Sequence, residues 1–264
     1  MDRRILSIAA TPPRTGVDAL RGRRAGGHLR ADIAQALPAD NRAGTPLHLI
    51  LDDLSGVSLI SPWAWSRWDP AWMVKMARLK ADPKYAAQFD RENICAGLRT
   101  GSSGLSFTAD GIATGDLRDP ADPEGWHAFP PQEGPGMRRA RRIDVSRDAV
   151  IRIDTHFQDS ASTPEGVRSA LHEYRVRATA DTVSLELLSV EAEPRVLPFA
   201  ECPAAATNVS RLVGTPLHML RQVVLEELKG PTGCTHLNDA LRAMADVPVL
   251  LRYIDTHAQA LTDG

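Results

Sequence analysis

Residues 1–27 show no sustained hydrophobic period and are rich in Arg, Gly and Pro (Arg21, Arg23, Arg24, Gly26, Gly27), which predicts an irregular arm. At Thr45 the pattern sharpens. Thr45 as N-cap, Pro46 in the first turn, apolar Leu47, Leu49, Ile50, Leu51 and Leu54, and a stop at Ser55-Gly56 predict a short helix. Asp69-Pro70 repeats the device ahead of Trp72, Met73, Met76 and Leu79, and Pro83 ends that helix and opens another through Phe89, Ile94 and Leu98. Residues 28–104 are therefore expected to be mainly helical. A Pro- and Gly-rich stretch, 105–132, reads as a linker or wrapping loop with a weak strand pair at 105–108 and 112–114.

Past this stretch the period changes to two. Segments 149–157, 171–179 and 182–190 alternate or carry β-branched residues between Asp, Ser, Pro and Gly turns, which predicts an antiparallel meander. Helical signals return at Pro203, Pro216, Thr235 and Val247, with Gly214 and Gly230 as stops. The fold class expected is α+β, a helical N-terminal part followed by a β-meander and helices, with an α+β domain over 133–264. The pentapeptide Gly44-Thr45-Pro46-Leu47-His48 recurs at 214–218; with no further residues aligned at that period, it reads as one helix-start chemistry used twice.

Composition adds exclusions. The chain has 264 residues, a formal net charge of −2, 43% apolar and 24% charged residues, which sets aside collagen-like, coiled-coil and wholly disordered classes. The charge balance argues against a nucleic-acid partner. The apolar run 5–10 is too short for a signal-peptide core, and no window reaches a membrane span, so no membrane partner and a cytoplasmic location are expected. The odd count of three cysteines cannot close as a disulfide framework. No glycine-rich phosphate loop is present, so no nucleotide cofactor is expected.

The candidate chemistry centres on Glu201-Cys202-Pro203 and Gly233-Cys234-Thr235-His236. Both cysteines head predicted helices, where unpaired N–H groups favour the thiolate that binds metals and attacks electrophiles. The alternative is that both are small buried residues. Cys95, inside a predicted helix beside Ile94, reads as core.

Along with these motifs, Met137-Arg138-Arg139-Ala140-Arg141-Arg142-Ile143-Asp144, His156-Phe157-Gln158-Asp159-Ser160, His172-Glu173-Tyr174, Pro194-Arg195-Val196-Leu197-Pro198 and Cys234-Thr235-His236-Leu237-Asn238-Asp239 make the C-terminal half resemble the bacterial family named domain of unknown function 2889. That resemblance implies no activity. The order of strands and cysteine-led helices is also similar to NifU-type iron–sulfur scaffolds, although the loop 158–166, where such scaffolds carry a cysteine, holds Asp159 instead.

A hairpin of 150–158 with 171–179 gathers His156 and Asp159 with His172, Glu173 and Tyr174 at its loop end, in reach of Cys202 and Cys234. A single divalent transition metal, zinc or iron, held by Cys202, Cys234 or His236 with His156 or Asp159, is one reading. A metal-free alternative has a cysteine nucleophile with His236, His156 or His172 as base, oriented by Asp159, Glu173 or Asp239; a third has His156 and Asp159 moving protons alone. Four of the five tryptophans fall within residues 63–72, and Trp63, Trp65 and Trp68, with Tyr174, are candidates to line an aromatic or polycyclic substrate; a core anchor or a partner surface is the alternative. Arg138, Arg139, Arg141 and Arg142 read as a solvated edge pairing with carboxylates. The function expected is a small-molecule catabolic enzyme of the lyase, hydrolase or isomerase class, with a homodimer as the oligomeric state to test, and with a metal or iron–sulfur carrier and a non-catalytic interaction module as alternatives.

Overall fold

A computed structural model describes residues 3–86, 89–106, 114–115 and 132–262. Of the expected strand pair at 105–108 and 112–114, residues 107, 108, 112 and 113 lie outside them, while Leu105 ends a 3-10 turn, Ser103–Leu105, and not a strand. The chain divides into two compact units, Met1–Ser61 and Pro62–Gly264.

In the first unit the N-terminal arm folds back on itself. Ile5 N–H donates to Arg23 O at 2.9 Å and Gly22 N–H to Ile5 O at 2.8 Å. This buries Val17, Leu20 and Ala25 with Leu29 and Ile33 of α1 (Leu29–Ala36), Leu37 at the junction with α2 (Pro38–Ala43), and Leu51 of α3 (Pro46–Asp52). Thr45 caps α3 as expected, its hydroxyl accepting from His48 N–H at 3.3 Å. The expected stop at Ser55-Gly56 is not one: those residues lie in the first turn of α4 (Leu54–Trp68). The Ser55 and Ser58 hydroxyls, one turn apart, donate to Gly26 O and Ala25 O at 2.8 and 2.7 Å, a helical use of residues that also suit turns.

The second unit takes in the end of α4, then α5 (Trp72–Ala81), whose Ala71 N–H donates to Asp69 Oδ1 at 2.9 Å, and α6 (Pro83–Ala86). The helix expected to continue to Leu98 does not. Asn93 sits at φ +60° and its Oδ1 accepts from Thr100 N–H at 3.0 Å, so a side chain takes up backbone partners that a helix needs. Cys95 consequently precedes a short 3-10 turn, Ala96–Leu98, and is not inside a helix.

Four antiparallel strands follow in the order β1 (Met137–Arg147), β2 (Ile151–Ser162), β3 (Arg168–Ala180) and β4 (Leu187–Val196). The meander is thus one strand larger than expected, because β1 carries arginines at positions that would otherwise read as its apolar face. The third expected strand, 182–190, starts late: Asp181 Oδ1 accepts from Val183 and Ser184 N–H at 2.9 and 2.7 Å and holds a turn there. The helical tail comes where expected: a 3-10 helix Cys202–Leu212, a short one at Leu217–Met219 leading into α7 (Leu220–Glu227), then α8 (Thr235–Ala243) and α9 (Val247–Thr262). One face of the sheet (Ile151, Ile153, Tyr174, Val176, Ala178, Leu187, Val190) packs with Val209, Leu212, Leu217, Leu220, Val224, Leu237 and Leu241 of these helices in the main core. The arrangement is α+β. Among the described residues no helix is long and apolar enough to cross a membrane.

Candidate metal centre

Strand alternation decides which polar residues meet. Arg139, Asp159 and His172 are direct neighbours across β1, β2 and β3, so their side chains lie in one row on the helix-covered face. A bulge beyond this row, pairing Asp159 with His172 but Ser160 with Ala170, leaves Leu171 as the extra residue. From above, α8 supplies His236 and Asp239, three apart and therefore on one helix face, while Leu237 and Leu241 turn to the core. Gly233 lets α8 start there, since a Cβ on it would lie 1.9 Å from Leu228 O.

The Arg139 guanidinium binds Asp159 with both prongs, Nε to Oδ1 at 2.7 Å and Nη2 to Oδ2 at 2.8 Å, and reaches Asp239 Oδ2 with Nη1 at 2.6 Å. It lies 4.6 Å from the centroid of the Phe157 ring. The imidazoles of His172 and His236 stack with centroids 3.6 Å apart and planes inclined by 20°. His236 Nε2 is 3.7 Å from Asp159 Oδ2, too long for a hydrogen bond. Donor atoms of Asp159, His172 and His236 all lie within 4.8 Å of one another. The three residues are buried, and His172 Nδ1 and His236 Nε2 have no hydrogen-bond partner among the described residues. Burial holds both imidazoles well below their usual range, joined for His172 by His236 and for His236 by Arg139, so both are neutral with lone pairs to offer. On its other side, His236 Nδ1 is 3.3 Å from Thr235 Oγ1 and 3.9 Å from Cys234 Sγ.

The other expected site residues fall elsewhere. His156 and Glu173 are on the opposite face of the sheet from Asp159 and His172, one residue out of phase, so neither the His156–Asp159 pair nor the gathering of His172 with Glu173 forms. His156 Nε2 instead approaches Asp154 Oδ1 at 3.4 Å, and Glu173 accepts from Gln158 Nε2 at 2.8 Å with Arg195 at 3.5 Å. A concavity of about 540 Å³ opens on that outer face beside Asp154, Arg177 and Glu191, away from the Asp159 row. Burial pushes the Cys202 thiol up to about 12 and raises that of Cys234 as well, against the lowering by the helix-start backbone groups of Leu237 and His236 beside Cys234, the direction opposite to thiolate activation. Trp63 and Trp72 are buried, whereas Trp65 is 40% exposed and stacks on Trp72 at 5.7 Å. Trp68 Nε1 donates to Ser162 O at the end of β2, at 2.9 Å.

Residues 137–250 match the family described as "Protein of unknown function (DUF2889)". The DUF2889 segment contains all four strands, Arg139, Asp159, His172, His236 and Asp239; the tryptophans of 63–72 and Cys95 lie outside it. No curated protein and no solved structure matches the chain, and the likeness to NifU-type scaffolds finds no support there.

Arg139 is the site residue that a solvated-edge reading misplaces: its side chain is 4% exposed between two carboxylates. The signal for it was its even spacing from Arg141, Ile143 and Val145 on the apolar parity of β1.

Proposed function

We propose that Asp159, His172 and His236 hold one divalent transition metal ion, zinc or iron, and that the chain is a small-molecule enzyme of the metal-assisted hydrolase or lyase class. The observation that carries this reading is the meeting of one carboxylate and two partnerless, neutral ring nitrogens within 4.8 Å in a buried setting. Two ligands at ~2.0–2.2 Å from one zinc ion lie about 3.4 Å apart in tetrahedral geometry, close to the 3.7 Å between His236 Nε2 and Asp159 Oδ2. Two histidines and one carboxylate leave a coordination position for water or substrate, the pattern of catalytic and not structural centres. A carboxylate has about four lone-pair sites, so Asp159 can accept from Arg139 and still ligate.

In this reading the metal supplies a Lewis acid that polarises a substrate oxygen or acidifies a water. Arg139 is a positioning residue that fixes the Asp159 carboxylate, and Thr235 orients His236 by accepting from Nδ1–H, which leaves Nε2 for the ion. The Trp65–Trp72 stack, tied through Trp68 to the strand that carries Asp159, is the apolar wall for an aromatic or polycyclic substrate. The burial of all three ligands disfavours a carrier that hands its metal to a partner. Exposure of Trp65 favours an interaction surface as the second reading.

The test is metal analysis of protein purified without added metal and after reconstitution with Zn²⁺ or Fe²⁺, with turnover of aromatic ester and hydroxy-acid panels in parallel. About one equivalent is expected, with affinity at least tenfold weaker in Asp159→Asn and His172→Ala. Absence of stoichiometric metal after reconstitution, or turnover that survives chelation, contradicts the reading.

A further inference from the structure

Among the described residues, Arg168 is a half-buried cation without a counter-ion. It opens β3 opposite Ser162 of β2, on the outer face of the sheet beside the hairpin that joins the two strands. Its guanidinium makes three hydrogen bonds: Nε to Ser160 Oγ at 3.3 Å, Nη2 to Ser160 O at 3.1 Å and Nη1 to Gln132 Oε1 at 3.3 Å. All three acceptors are neutral, and all three bonds are long for a charged donor. Elsewhere on the same face Arg142, Arg152, Arg175, Arg177 and Arg195 each hold an aspartate or a glutamate.

What stands near Arg168 is a second cation. Arg138 of β1, half-buried as well, is the direct cross-strand neighbour of Ser160, the residue that Arg168 binds from the β3 side. Burial lowers the pKa of both guanidinium groups, and the charge of Arg168 lowers that of Arg138 further. Between them Ser160 is 1% exposed; its Oγ accepts from Arg168 and makes no other hydrogen bond among the described residues, so the hydroxyl proton is still to be given. A guanidinium has five N–H donors, and the three bonds of Arg168 leave one on each terminal nitrogen, a pair able to take two oxygens of one oxyanion. Partial burial of a charge without a counter-ion costs free energy, and like charges on neighbouring strands add to it. A bound anion relieves both.

We propose that Arg168, Arg138 and the Ser160 hydroxyl form a binding site for the oxyanion group of a small molecule, a carboxylate or a phosphate. The site is independent of the metal centre. Asp159 and His172 turn lone pairs to the inner face and to a cation, whereas Arg138, Ser160 and Arg168 offer N–H and O–H groups to an anion on the other face.

The test is labelling of the wild-type full chain with the arginine reagent phenylglyoxal, read peptide by peptide by mass spectrometry, in inorganic phosphate, in benzoate or in chloride at equal ionic strength. At an anion concentration ten times its Kd, labelling of Arg168 is expected to slow about tenfold, with Arg177, which is paired to Glu193, labelled at an unchanged rate. Protection by phosphate alone assigns a phosphoryl ligand, and protection by benzoate alone a carboxylate. Calorimetric affinity for the protecting anion should fall at least tenfold in Arg168→Gln, fall less in Arg168→Lys, which keeps the charge, and persist in His172→Ala, which separates this site from an anion held at the inner row. Absence of protection by both anions overturns the proposal without recourse to any variant, and so does an affinity unchanged in Arg168→Gln or lost in His172→Ala.

Discussion

The two faces of the sheet are built from the same strands and carry nearly the same chemistry, yet only one has metal-ligating atoms to spare. On the outer face His156 meets Asp154, which also pairs with Arg175 at 2.5 Å, and Glu173 is held by Gln158 and Arg195. On the helix-covered face Arg139 satisfies Asp159 and Asp239, while two stacked imidazoles keep ring nitrogens without partners. Polar richness therefore does not mark the site; unmet bonding capacity in a buried place does.

Substitutions that separate the faces should rank by how much charge they strand. Arg139→Met leaves the buried Asp159 carboxylate without its bidentate cation and Asp239 with Arg242 at 3.6 Å, and is expected to cost about 3–5 kcal/mol in urea unfolding. A loss below about 1 kcal/mol would mean that the row is not the electrostatic keystone of the inner face. Gln158→Ala removes a hydrogen bond to the buried Glu173 carboxylate, which Arg195 still attends, and should cost about 1.5–3 kcal/mol by the same measurement. His156 has its ionisation lowered from 6.5, by burial first, against the pull of Asp154. Protonation thus favours the unfolded chain: the stability associated with neutral His156 is complete above pH 6.5 and declines as pH falls below it. Between pH 6.5 and 5, His156→Gln should flatten the stability profile by at most about 1.4 kcal/mol per pH unit. The smallest effect is expected for Arg142→Met, whose pair with Asp144 is solvent-exposed and whose loss should change stability by less than about 0.5 kcal/mol.

The elements whose signals are local were legible in the sequence. Thr45-Pro46, Asp69-Pro70 and the glycine-separated tail helices read correctly because caps and stops act within a few residues. The meander was legible from period two, but β1 was not, since Arg139 and Arg141 occupy its inward parity and hide the alternation. At the site, Asp159, His172 and His236 were among the candidates, whereas grouping them required the register. Proximity in sequence joined His156 to Asp159 and His172 to Glu173, and strand alternation sends each pair to opposite faces. Helix-start chemistry pointed to reactive thiolates at Cys202 and Cys234, but the depth of burial, a tertiary quantity, reversed that sign.

The central claim is that the inner row is a metal centre, and anomalous diffraction from crystals soaked in Zn²⁺ addresses it most directly. One zinc peak is expected at ~2.0–2.2 Å from donor atoms of Asp159, His172 and His236, absent from crystals of His172→Ala and present in His156→Gln. A map with no peak between those three residues, or with zinc bound instead at His156 and Glu173 on the outer face, would contradict it.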